Sequence, residues 1–314
     1  INHILLIWKT KTKGDLPMKN SFKKAITLVL TLILLTALFV PSFAEKTVTS
    51  NDVIYQEKEI KDTKEIMKRA YEGINDDENF KVKKEDVKLE KIKLGKDEKD
   101  IEILDIKSTS QKLKSYKAAS GDIIEEYVGH AIITVGSREE AEKKAEAKAL
   151  IKSLKSLGVA TLFASTADSR ERWDESFGVK IRSTMYYNRV VGTELHDVLS
   201  AETEVIDRDT TIRVTKLFAR VASGTKAYTS TGSYIGNYSP IYDKEITAPS
   251  GGSYAVGQKV TVTDPNNYYF NTSASVHYIG SYSEAKLERG TSSVWYVYTT
   301  CTLGGFPGWS PGNR

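Results

Sequence analysis

The spacing of apolar positions divides the chain into stretches of different period. Ala25 to Val40 is a single uncharged apolar run. Ile66, Met67, Ala70, Tyr71 and Ile74 recur at helical spacing behind Asp62, and the stripe stops near Gly73, which predicts a short amphipathic helix. Val87, Leu89, Ile92 and Leu94, followed by Ile101, Ile103, Leu104 and Ile106, predict two short strands or one hairpin around Gly95-Lys96-Asp97. Tyr127 to Val135 is strand-like in composition, and Ser137-Arg138-Glu139-Glu140 then forms a capping box. The helix predicted behind that box aligns Ala141, Ala145, Ala149, Leu150, Leu154 and Leu157 on one side and ends at Gly158. Strand-like stretches follow near 159–166, 177–192, 196–206 and 211–222, with turn chemistry at Asp207-Arg208-Asp209 suited to a hairpin between the last two.

The pattern changes again beyond 223, where short apolar runs at 259–262, 275–279 and 294–298 sit between Gly, Ser, Asn and Pro clusters. The predicted fold class is therefore α+β. One helix packs on an antiparallel sheet over 122–222, followed by a small all-β, Tyr-rich module over 223–314 with an irregular tail. Residues 45–115 hold 17 Lys or Arg and 18 Asp or Glu, so 45–121 reads as a highly charged lead-in that closes with a polar linker from Ser108 to Gly121. Such a segment serves either as a solvated approach to the folded part or as a partner-binding arm.

Charge changes the picture once the first 44 residues are set apart. Lys19, Lys23 and Lys24 precede the apolar run, and Pro41 with Ser42-Phe43-Ala44 closes it, which is the order of a secretory signal peptide over 18–44 with cleavage after Ala44. Residues 1–17 read as an untranslated leader ahead of Met18. The whole sequence carries a net charge of +4. Those 44 residues supply six lysines and one aspartate, so 45–314 keeps 39 bases and 40 acids. Nucleic-acid binding loses its main electrostatic support. The reading is a secreted or extracytoplasmic bacterial chain that meets the membrane only transiently, through its signal peptide.

The strand GHAIIT, the helix SREEAEKKAEAKALIKSLKSLGV and the strands ending TTIRVTKLFARV occur in that order over residues 122–222. This stretch resembles the N-terminal module of the flagellar-assembly protein FlgT and of related small envelope lipoproteins. The resemblance implies a βαβββ-type module that works by protein contact and not by catalysis.

Candidate chemistry is sparse. Cys301 is the only cysteine, which excludes an internal disulfide and multi-Cys metal sites. A Cys301/His277 nucleophile–base pair is one catalytic arrangement to consider, since it needs only spatial adjacency, and a glycosidase-like acid pair among Asp168, Glu171, Asp174 and Glu175 is another. His130 alternates with Val128 and Ile132 and reads as a sheet histidine. His196 and Asp197 point to opposite faces of a strand, while Glu194 and His196 share one without making a metal site. Asp168, Glu171, Asp174 and Glu175 flank Trp173 in a polar stretch that reads as a loop. No cofactor or metal motif is present. From 229 onward only 10 of 86 residues are charged, yet 10 of the 17 tyrosines fall there. Tyr268, Tyr269, Tyr278, Trp295, Tyr296 and Tyr298 are the candidate ligand contacts, because aromatic rings stack on sugar faces while their polar tips hydrogen-bond. The expected function is a secreted, non-catalytic envelope-associated binding or assembly protein whose partner is cell-wall glycan or another envelope protein. The alternatives are a secreted Cys-dependent peptidase or wall hydrolase, and a secreted effector whose charged segment is a removable pro-region.

Overall fold

The computed structural model describes residues 53–304 apart from 97–98, 144–145, 148–149, 151–177 and 274–277, and leaves out the side chains of 225 and 304. The signal-peptide segment, the Asp168–Glu175 stretch, His277 and the C-terminal tail lie outside the described residues. Thirteen strands are described: β1 (Val53–Gln56), β2 (Val87–Lys93), β3 (Glu102–Lys117), β4 (Ile123–Gly136), β5 (Val179–Val190), β6 (Leu195–Arg208), β7 (Ile212–Tyr228), β8 (Tyr234–Tyr238), β9 (Ile241–Thr247), β10 (Lys259–Thr263), β11 (Tyr269–Asn271), β12 (Tyr278–Arg289) and β13 (Ser293–Gly304). All their pairings are antiparallel.

The strands form two sheets that share β7. The first runs β1-β3-β4-β5-β6 and continues through β11 to the end of β7, with β10 also on β6 and β8 on the end of β7. The second runs β9-β7-β12-β13-β2. β7 makes this possible by its length. Ile212 to Gly224 pairs with β12, whereas Ala227 and Tyr228 pair with β11. A strand that changes sheets makes the corner of a sandwich.

This β-rich sandwich corrects the α+β expectation. What covers the inner face of the first sheet is the second sheet, not the Ala-rich helix. Ala131, Ile133, Ile181, Met185, Val198, Ala201 and Val205 meet Leu217, Ala219, Val221, Ala285, Leu287, Trp295 and Val297 in one core. Residues 138–143 are helical, but Leu150, on the expected apolar stripe, is 60% exposed. The turn expected at Asp207-Arg208-Asp209 lies further on, at Asp209–Ile212, with Ile212 N donating to Asp209 O at 3.1 Å, while Asp207 and Arg208 belong to β6; it makes no hairpin. β6 and β7 share no ladder where they meet, because β7 leaves for the opposite sheet. Likewise β2 and β3 do not pair with each other: β2 lies on β13 and β3 on β4. Ser108 to Lys117, which read as linker, form the second half of β3.

The helix that does cover a sheet is α1 (Thr63–Glu72). Its boundaries are set locally: Glu65 N donates to Asp62 Oδ1 at the start, and Gly73 closes it at φ 72°. Ile66, Met67 and Ala70 pack with Ile132 and Ile206 on the outer face of the first sheet. β4 therefore buries both faces, which explains its continuous apolar run.

From Gly73 the chain crosses the edge of β3. Thr109 Oγ1 donates to Ile74 O at 2.6 Å, Asp77 N donates to Ser110 Oγ at 2.9 Å, and Asn75 bridges Ser110. This strap satisfies backbone and hydroxyl groups that a bare sheet edge would leave open. It then drops Phe80 onto the inner face, against Gly129. A Cβ at 129 would lie 2.3 Å from the Phe80 ring. Gly129→Ala is therefore expected to destabilise the fold by about 1–3 kcal/mol. In a urea-denaturation cycle with Phe80→Ala, the double variant should lose clearly less than the sum of the single losses. Additive losses would refute the contact.

Candidate functional site

The nucleophile candidate is placed inside the sandwich. β13 alternates its residues inward and outward, and Cys301 points inward, where it is fully buried. Ser183 Oγ lies 3.6 Å from its sulfur and accepts a 2.7 Å hydrogen bond from Ser283 Oγ, so a small polar string joins β5, β12 and β13. Burial pushes the Cys301 thiol up to about 11 despite that hydroxyl contact. At neutral pH roughly one such thiol in ten thousand is ionised.

The two described histidines, His130 and His196, are buried in the sheets. His130 sits on the outer face of β4, where Nδ1 lies 3.0 Å from Thr184 Oγ1. Burial, with the nearby charges of Arg182 and Arg69, lowers it to about 3, so it is neutral. His196 and Asp197 fall on opposite faces of β6. His196 is buried on the inner side near Tyr187, with ring centroids 6.5 Å apart, and burial lowers its pKa too. The Glu194 carboxylate accepts from Thr272 Oγ1 at 2.9 Å. Among the described residues, no three His, Cys, Asp or Glu side chains are grouped as metal ligands.

A buried polar network escaped sequence reasoning because its members are far apart in the chain. Asp77, on the strap, accepts from Tyr187 Oη at 2.6 Å and from Arg189 Nη1 at 3.3 Å. Arg189 also reaches Glu125 at 3.3 Å, and Glu125 accepts from Lys112 Nζ at 2.6 Å and Tyr127 Oη at 2.7 Å. Burial alone would raise the Glu125 carboxyl, but the Lys112 and Tyr127 hydrogen bonds and the Arg189 charge hold it below the usual range. Tyr127 and Tyr187 stack at 5.4 Å, and Phe80 extends the stack. Every charge in this cluster has an opposite within reach, so the arrangement fixes the strap to the sheet.

The six aromatic candidates divide by strand alternation. Trp295 points inward, fully buried, and its indole N–H donates to Asp100 Oδ1 at 2.9 Å. Tyr269 is buried as well. Tyr296 and Tyr298 point outward and stack at 6.0 Å, with Tyr298 Oη donating to Glu90 and Lys216 Nζ over the Tyr296 ring. Tyr268 and Tyr278 gather elsewhere, around the returning arm of β7. There Tyr268 meets Tyr238 at 4.7 Å, and Tyr278 lies across Gly224, where an added Cβ would meet its ring at 3.4 Å and the Tyr238 carbonyl at 3.4 Å.

That arm adds rings the sequence reading passed over. After the turn at 229–233, β8 and β9 run back along β7, interrupted at Ser239-Pro240. Tyr228 and Tyr234 make an edge-to-face pair at 5.9 Å. Tyr234 is 56% and Tyr238 40% exposed, alongside exposed Ile235 and Ile241. The legible signal was the combination of three tyrosines at 234, 238 and 242 with no charged residue between 229 and 242. No family model matches the chain, and no curated protein or solved structure matches it.

Two measurements test these placements. Native protein should react with a thiol reagent orders of magnitude more slowly than urea-unfolded protein, and comparable rates would contradict the burial of Cys301. The second concerns acid. An imidazole held near 3 in the fold and near 6.5 when unfolded stabilises fully above pH 6.5, and that contribution is lost as pH falls toward 3. The slope is about 1.4 kcal/mol per pH unit. Between pH 7 and 4.5, His130→Gln should therefore lose about 2–3 kcal/mol less stability than the parent in urea titrations. Equal losses would contradict a neutral, buried His130.

Proposed function

We propose that the chain is an exported, non-catalytic binding or assembly protein of a bacterial envelope, with the tyrosine-bearing arm at 228–242 as its contact surface. One observation carries this reading. Tyr234 and Tyr238 hold their rings exposed, each steadied by a second ring, Tyr228 and Tyr268. Rings fixed by neighbours lose little conformational freedom when a partner arrives, which makes them efficient contacts. Export is supported by the order of charge, apolar run and small residues across 18–44.

The rival readings have less behind them. A Cys-dependent hydrolase needs an ionised, accessible thiol, whereas Cys301 is buried and protonated. A removable pro-region over 45–121 would take Phe80, Val87 and Ile101 out of the core and strip β3 from β4. That loss would expose the apolar inner face of the first sheet.

The reading is tested by sedimenting the purified full-length protein with isolated bacterial envelopes. The parent should be retained, and a Tyr234→Ala/Tyr238→Ala variant with an unchanged melting temperature should be retained at least tenfold less. A parent protein left in the supernatant would overturn the proposal. Equal retention of the double variant would remove the arm from it.

A further inference from the structure

The tyrosine arm meets the 264–268 loop in a way that bears on the chemistry of its partner. Tyr238 and Tyr268 stand 4.7 Å apart with their planes inclined by 43°, an open pair with neither ring flat on the other. Beside them Asn266 Nδ2 donates to Tyr242 Oη at 2.6 Å. The Tyr242 oxygen is therefore an acceptor in this contact, which leaves its own proton for an outside group. Asn266 is itself fixed, since its backbone N–H and its side-chain amide both donate to Asp264 Oδ1, at 2.8 and 3.1 Å. The loop is thus pre-shaped by a buried carboxylate, and the exposed Tyr238 stands beside half-buried Tyr242 and Tyr268, which pack against the core beneath.

The surroundings narrow the partner by charge. Neither 229–242 nor 265–273 contains a charged residue. An anionic polymer finds no cation in these segments, and the acyl face of a lipid would strip water from tyrosine hydroxyls and an amide without replacing their hydrogen bonds. A pyranose ring answers both demands: its C–H face lies on an aromatic ring while its hydroxyls exchange hydrogen bonds with phenol and amide groups.

We infer that Tyr238, Tyr242, Asn266 and Tyr268 form a subsite for one pyranose ring of a neutral oligosaccharide chain. This rests on the binding-protein reading above and names its ligand class. The phenolic pair supplies the stacking surface, and Tyr242 with Asn266 supplies the directional hydrogen bonds. Tyr234 stands on the opposite face of β8, opposite Tyr228 and donating to Asn237 Oδ1 at 2.9 Å, so the subsite is confined to a single sugar ring.

Calorimetric titration of the purified full-length protein with chitopentaose and with cellopentaose tests the assignment. At least one should bind saturably. Tyr238→Ala and Tyr268→Ala should each weaken that binding at least tenfold, Asn266→Ala severalfold, and Tyr268→Phe little, because the ring is kept. Circular dichroism on each variant separates these losses from misfolding. Absence of saturable binding by either sugar, or affinity unchanged in Tyr238→Ala, would overturn the subsite. The companion experiment uses envelopes stripped of protein by protease. Retention that survives stripping and is competed by the oligosaccharide supports the inference. Retention that stripping abolishes leaves the envelope-binding reading standing with a protein partner and removes the glycan. No retention on either preparation removes both.

Discussion

The architecture depends on a buried carboxylate that would be untenable alone. Asp77 lies inside the sandwich, and removing a charge from water costs several kcal/mol unless it is paired and hydrogen-bonded. Tyr187 and Arg189 provide that pairing, and Arg189 is in turn shared with Glu125. The pairing has a topological result. Asp77 belongs to the strap, so satisfying it pins the crossing from α1, on one face of the first sheet, to Phe80 on the other. Without that anchor, the edge of β3 at Ser110 would lose its cover and Gly129 its neighbour. The helix, the sheet edge and one corner of the core thus rest on the same ion pair.

How legible this was depended on distance along the chain. α1 could be read from Asp62, its apolar stripe and Gly73 because capping chemistry acts within four residues. Alternation also carried far. The sequence Val294-Trp-Tyr-Val-Tyr298 divides into an inward Trp295 and outward Tyr296 and Tyr298, as a period of two requires. Strand partners were not legible. β2 ends on β13, some two hundred residues away, and nothing local in Val87–Lys93 encodes that choice. β3 misled for a different reason. Ser108, Thr109, Ser110 and Gln111 look like linker residues, but the side chains of Thr109 and Ser110 hold the strap and that of Gln111 holds the segment before α1, bonded to Ile60 N and Lys58 O. Polar composition marked an occupied edge.

The aromatic residues show the same separation between composition and position. A tyrosine-rich segment invites a search for ligands, but the sheet assigns each ring a role by its face. Inward, Trp295 fills core volume and tethers Asp100, two residues before β3. Outward on the second sheet, Tyr296 and Tyr298 are engaged by Lys216 and Glu90. On the returning arm Tyr234 and Tyr238 keep open surface, where β8 pairs with β7 alone among the described strands. Position in the sheet separates structural from available aromatics more sharply than residue type does.

The pairing of β2 with β13 also has a consequence in time. As the chain is made, β2 emerges early, yet the strand that completes its hydrogen bonds spans Ser293–Gly304, near the end of the sequence. β7 waits similarly for β12. The second sheet therefore cannot close around β2 until β12 and β13 have been made, and closing such distant contacts is slow. The first sheet can zip from strand to following strand, so it is the second sheet, gathered from distant segments, that sets the last step of folding.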